Sequence, residues 1–149
     1  MATTTYSNWL TSTEQEYYEH PGRPMANNGI AVVSDTVPVM DTTGDEHHIL
    51  KIPSGCKILA FYFEHADPGS ASDTDILLRT TVDTTDTDVS LKADLGDAAN
   101  TGEWVFPATD QPYIAQVAES NLGYGTILLD QTGGTTTNTY LFKMIVFYQ

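Results

Sequence analysis

The densest set of potential metal ligands in this sequence is VDTTDTDVS, with Asp83, Asp86 and Asp88. Calcium takes six or more oxygens converging from one loop, and the EF-hand version needs a central Gly and a closing Glu. This run has neither, so the expectation is a solvated Thr/Asp turn. Asp94 and Asp97, on either side of Gly96, are expected to be turn residues for the same reason. His47 and His48 are adjacent on an expected strand; they point to opposite faces and do not share an ion. His20 and His65 stand alone, and all four imidazoles are expected at the surface or half-buried. For nucleophilic catalysis, Ser54 and Cys56 lack the strand-to-helix elbow that exposes a reactive side chain, and there is no GxSxG. GYGTILL, residues 123–129, lacks the Lys and the helix start of a phosphate cradle, so a hairpin or bulge is expected there. The scattered carboxylates single out no acid/base pair. No catalytic residue, metal or cofactor is expected, and the chain does not read as an enzyme.

These residues need a body to hold them. With 149 residues, 40% of them hydrophobic, the chain suits one folded domain and is too short for two of ordinary size. The single Cys56 excludes an internal disulfide and reads as a buried, inert thiol. Six basic against twenty acidic residues give a net charge of −14. Such a chain repels phosphate backbones, so no nucleic-acid partner is expected. No apolar run is long enough to span a bilayer, and MATTTYSNWL lacks the features of a signal peptide. No membrane partner is expected, and the protein is expected to be made in the cytoplasm.

Residues 1–28 read as an N-terminal arm and 29–149 as the folded domain. The arm spreads Tyr6, Trp9, Leu10, Tyr17 and Tyr18 among polar residues and ends in the turn-rich HPGRPMANNG, which carries Arg23. Ser12 with Gln15, and Thr13 with Glu16, fit the spacing of a helix-capping box, while Pro21 and Pro24 stop regular structure. So short a helix is marginal alone. Its aromatics need a surface, either the chain's own body or a partner. From Gly29 onward, short Val/Ile/Tyr/Phe/Thr runs alternate with Gly, Asp and Pro turns. Strands are expected over 30–34, 37–41, 46–52, 57–65, 75–82, 89–92, 102–106, 113–118, 125–129 and 139–148, with at most a helical turn within 94–102. KIPSGCKILAFYFEH, residues 51–65, is expected to form a core hairpin in which Leu59, Phe61 and Phe63 face inward. In YLFKMIVFY the set Phe142, Met144, Val146 and Tyr148 is expected to face the core of a central strand, and Trp104 is either a core residue, the favoured reading, or a subunit-contact residue. The class is all-β: a single antiparallel sandwich, jelly-roll or Ig-like, behind an extended arm.

The order of features in GDEHHILKIPSGCKILAFYFEHADPGS adds a resemblance. A polar lead-in and short strand end in Ile52-Pro53-Ser54-Gly55, a long apolar strand follows, then DILLRTTVDTTD, LGDAANTGEWVF and a last apolar strand. This layout, over residues 28–149, resembles the head decoration (capsid cement) proteins of tailed bacteriophages, although the short Asp-Val-Gly-Asp strand of many members is absent. The resemblance implies a non-enzymatic protein on the outside of an icosahedral head, bound to the major capsid protein, associated as a homotrimer and stabilising the shell. In that setting Tyr6, Trp9, Leu10, Tyr17, Tyr18 and Arg23 are the expected partner-binding residues, since aromatic and Arg side chains dominate interface hot spots. Two other classes stay open: a tail-tip, fibre or spike β-domain for host attachment, and a cellular carbohydrate-binding or adhesion sandwich. The first would show exposed aromatics in long loops, and 67–73 and 131–138 contain none. The second normally carries a secretion signal.

Overall fold

A computed structural model describes residues 1–6, 29–53, 56–69, 72–82, 85–106 and 124–149. Nine strands follow in order: β1 (Thr4–Tyr6), β2 (Gly29–Val37), β3 (Glu46–Pro53), β4 (Ile58–His65), β5 (Ser72–Val82), β6 (Thr85–Lys92), β7 (Asn100–Val105), β8 (Tyr124–Gly134) and β9 (Tyr140–Tyr148). They form two sheets, ordered β1-β3-β8-β5-β6 and β2-β9-β4-β7. Every pairing is antiparallel except the parallel β1–β3 edge. Leaving β1 aside, the chain passes to the other sheet at every connection but β5–β6. Four strands per sheet in this order make a jelly roll, the two-sheet Greek-key architecture.

The core lies between the sheets and follows the alternation of the strands. The first sheet contributes Ile49, Leu50, Ile52, Ile76, Leu78, Ile127 and Leu129; the second contributes Val33, Val37, Ile58, Phe61, Phe63, Phe142, Met144 and Val146. As expected, β9 is central and turns Phe142, Met144 and Val146 inward, with Tyr148 packed at the core's margin. Cys56 is buried.

Several local expectations are corrected. The segment 51–65 is not a hairpin: β3 and β4 lie in different sheets, paired to β8 and β9 from the far end of the chain. A register shift between Ile58 and Ala60 breaks the alternation, so Ile58 joins Phe61 and Phe63 in the core while Leu59 is only half-buried. One strand, β2, runs through Ser34 and Asp35 to Val37, and regular pairing stops at Pro38, which has no N–H to give. Residues 124–129 form the start of the central strand β8, and no helical turn occurs within 94–102, where Asp94 and Gly96 take positive φ instead. Asp86 and Asp88 stand on β6 and not in a turn. The expected strand 113–118, and Asp83, lie outside the described residues.

Candidate interaction surface

The open sides of the sandwich are each closed by a polar contact between sheets. On one side, Lys92 at the end of β6 donates to Glu103 on β7 at 2.9 Å. On the other, Asp35 on β2 meets His47 on β3, Oδ2 to Nε2 at 2.9 Å, with the two side chains 3% and 2% exposed. The imidazole's other nitrogen, Nδ1, lies 2.7 Å from the Thr5 hydroxyl of β1. Burial holds the His47 pKa below its ordinary value, against the opposing pull of Asp35, so the ring is neutral at neutral pH. A carboxylate only accepts, which places the ring proton on Nε2 and makes Nδ1 the acceptor of the Thr5 hydroxyl.

Hydroxyl, imidazole and carboxylate in this order are the parts of an acyl-transfer triad. A nucleophile also needs open approach and a place for the developing oxyanion. Here the imidazole and carboxylate are sealed between the sheets, and the Thr5 hydroxyl also lies 3.1 Å from the Glu46 carbonyl oxygen of its own strand pair. The arrangement works as a clasp. Asp45 adds to it, accepting from the Thr3 and Thr42 N–H groups at 2.6 and 3.0 Å.

Contrary to expectation, His47 and His65 are buried. Both ring nitrogens of His65 lie at backbone oxygens, those of Ala66 at 2.9 Å and Leu95 at 3.1 Å, and its ring stacks parallel to Phe63. His48 points outward, opposite to His47 as expected, with Nε2 3.1 Å from the Glu46 carboxylate. Among the described residues no group of three His, Cys, Asp or Glu is placed to hold a metal ion.

The outer face of the first sheet is charged. Its rows, set by register, are Glu46–Asp130–Asp75, then His48–Leu128–Leu77–Ser90, then Lys51–Thr126–Arg79–Asp88. Arg79 makes a two-pronged contact with Glu46 at 2.8 and 2.9 Å and a second with Asp88 at 2.8 Å. To reach from the third row to Glu46 in the first, its side chain crosses the second. Leu128 and Leu77 stand in the row it crosses and are buried although they face outward. The bonds to Asp88 and Glu46 push the guanidinium pKa up, and those from Arg79 and His48 hold Glu46 below the usual range despite burial.

The outer face of the second sheet is apolar. One row across it reads Val32–Ile145–Tyr62–Trp104, and the next includes Ile30–Phe147–Ala60. Trp104 corrects the expectation that it is a core residue. It stands opposite Tyr62 on the outward side and is 49% exposed, while its neighbours Glu103 and Val105 turn inward. Its ring lies 5.4 Å from Tyr62, 5.7 Å from Phe147 and 6.2 Å from Phe106 between centroids. Gly102 makes room for this group: its φ is +135°, and a Cβ there would run into the Tyr62 ring. Phe106, Ile30 and Val32 are 71%, 63% and 62% exposed. Among the described residues, the charges along these rows and the next are Lys143 and Glu64, bonded to one another at 2.6 Å.

Of the expected partner-binding residues, Trp9, Leu10, Tyr17, Tyr18 and Arg23 lie outside the described residues. Tyr6 ends β1, its backbone opposite His48. The exposed aromatics of β7 had a sequence signal, since GEWVFP alternates, but alternation alone does not say which side is outward.

No protein-family model matches the chain, and no curated protein matches it in sequence. The fold is similar to that of a chain in the solved capsid of Ralstonia phage GP4, with a TM-score of 0.55 at 13% identity. The likeness covers 85% of this chain and 87% of that one, so the two are of similar length.

Proposed function

We propose that this chain is a structural protein of a tailed-phage virion, a decoration or cement protein that binds the major capsid protein on the outside of the head and stabilises the shell. The observation that carries this is the jelly-roll likeness to a chain of a phage capsid, which extends over nearly the whole of both chains. It agrees with the resemblance carried by residues 28–149. The buried clasp at His47 and the paired charges on the first sheet support a structural role in place of a catalytic one. Modest contacts repeated over a shell gain strength from multivalency. In this proposal the protein is made in the host cytoplasm, residues 29–149 form the sandwich, and the arm, 1–28, supplies anchors in Tyr6, Trp9, Leu10, Tyr17, Tyr18 and Arg23. Three-fold self-association is what the resemblance implies.

Quantitative mass spectrometry of purified particles tests the role. Copies comparable in number to the shell subunits, or a simple fraction of them, are expected. A handful of copies would assign the chain to the tail, fibre or spike, and absence from particles would sink the proposal.

A further inference from the structure

We infer that Lys92, Asn100 and Glu103 form a self-modification site, at which Lys92 and Asn100 join in an isopeptide bond between the two sheets. The three stand at the open side where the end of β6, in the first sheet, meets β7, in the second. Lys92 Nζ donates to Glu103 Oε1 at 2.9 Å, and Asn100 Nδ2 donates to Oε2 of the same carboxylate at 3.4 Å. The Asn100 amide is held by its own turn, in which the Gly102 N–H donates to Oδ1 at 2.8 Å. An N–H requires an acceptor, so this contact fixes which end of the amide is oxygen and leaves Nδ2 toward Glu103. A surface ion pair needs Lys92 and Glu103 alone. The third residue adds a carboxamide on the carboxylate's other oxygen, so a nucleophile, a proton carrier and an electrophile meet in one place.

The reaction displaces ammonia from an amide by an amine. Glu103 Oε1 takes a proton from the Lys92 ammonium and frees the Nζ lone pair. Nζ attacks Asn100 Cγ, and the Gly102 N–H steadies the charge that grows on Oδ1. Glu103 passes its proton to Nδ2 and takes a second one from Nζ. The Cγ–Nδ2 bond breaks, and ammonia leaves with that last proton as ammonium. One ammonium is consumed and one released, with no change of oxidation state, so no co-reactant is needed. The Lys92 and Glu103 side chains are 29% and 38% exposed, and water favours their charged forms, so the step is slow. A single turnover in the life of the chain suffices, and groups held together in this way react with effective molarities of about 10⁵–10⁸ M. The product ties the last residue of β6 to the first of β7, so the sheets cannot part on the side opposite the Asp35–His47 clasp. The inference does not depend on the proposed virion role, so a failed copy-number test leaves it standing.

Intact-mass spectrometry of the full folded chain, kept at neutral pH and sampled over days, is the test. The expected result is the loss of one ammonia relative to the same chain kept unfolded in denaturant. A tryptic digest should also lose the cut after Lys92, so that residues 80–143 stay in one peptide. Lys92→Arg keeps the cation and Glu103→Gln keeps the shape; both should retain the full mass, with an unchanged far-UV circular dichroism spectrum. A folded wild-type chain that holds its full mass throughout would overturn the inference. So would an ammonia loss that persists in Lys92→Arg, because Asn100 would then be closing on its own backbone as a succinimide and not on Lys92.

Discussion

The two outer faces of this sandwich are built on the same plan, strands with side chains alternating in and out, five in the first sheet and four in the second, and they end in opposite chemistry. On the first sheet, outward apolar residues exist, Leu77 and Leu128, but they are buried, and Arg79 crosses their row to tie Glu46 to Asp88. On the second, Ile30, Val32 and Trp104 are exposed while Tyr62, Ile145 and Phe147 between them are half-buried, and the ion pair Lys143–Glu64 stands a row away. A single long cation decides the difference. Where a guanidinium reaches across three rows, an apolar pair is closed off and the face is wet and acidic. Where the cation is a short-range Lys already satisfied by its cross-strand neighbour, apolar side chains at the sheet's edges, Ile30, Val32 and Trp104, stay exposed.

Three substitutions break or sharpen this contrast. Arg79→Ala should have the largest effect, a loss of about 2–3 kcal/mol in denaturant unfolding, because it uncovers Leu128 and leaves Glu46 beside Asp130 and Asp75 without a cation. The cost stays below that of a fully buried pair because Asp88 is well solvated. An unchanged midpoint would mean that Arg79 is not what separates the faces. Gly102→Ala comes next, at about 2 kcal/mol, since it forces a strained φ and displaces the Tyr62 ring. Tryptophan fluorescence should shift with it, because Trp104 packs on that ring. The smallest effect is a gain. Asp130 has its pKa raised by burial and by Glu46 beside it. A carboxylate raised in the fold binds its proton more readily folded than unfolded, so its charge disfavours the fold at neutral pH and ceases to as pH falls through the carboxylate range. Asp130→Asn should therefore stabilise by about half a kcal/mol at pH 7, kept small by solvent screening. The gain should vanish in acid; a gain equal at both pH values would exclude the electrostatic cause.

A fourth outcome concerns the clasp that closes one side between the faces. The depressed pKa of His47 makes its contribution full above the ordinary imidazole value of about 6.5 and lost as pH falls from there through the lowered value. His47→Gln should be less stable than wild type at pH 7, and the gap should narrow toward pH 5. A gap of constant size would mean that His47 does not titrate in this window.

Much of this was legible in the chain. Alternation in YLFKMIVFY names the inward set of β9, because the outward set contains Lys143 and the inward one has no charged group. The acidic excess and the lone Cys56 limit partners and cross-links by charge and chemistry alone. GEWVFP and KILAFYFEH are less decisive. Trp104 and Tyr62 alternate with residues that are equally fit for burial or exposure, and a bulge after Ile58 moves the period by one. The run around Asp86 and Asp88 reads as a turn because alternating Thr and Asp has no apolar face; at a sheet edge β6 needs none, and Arg79 on the neighbouring strand gives Asp88 its partner.

The sequence by itself determined the class of element, the inward face of the strongest strand and the acidity of the surface, since these depend on composition and on a local period of two. The tertiary structure decided which strands pair. Only it carries β3 and β4 into different sheets, and it brings together Thr5, Asp35 and His47, or Glu46, Arg79 and Asp88. Those meetings depend on contacts between strands far apart in the chain, whose partners no local pattern specifies.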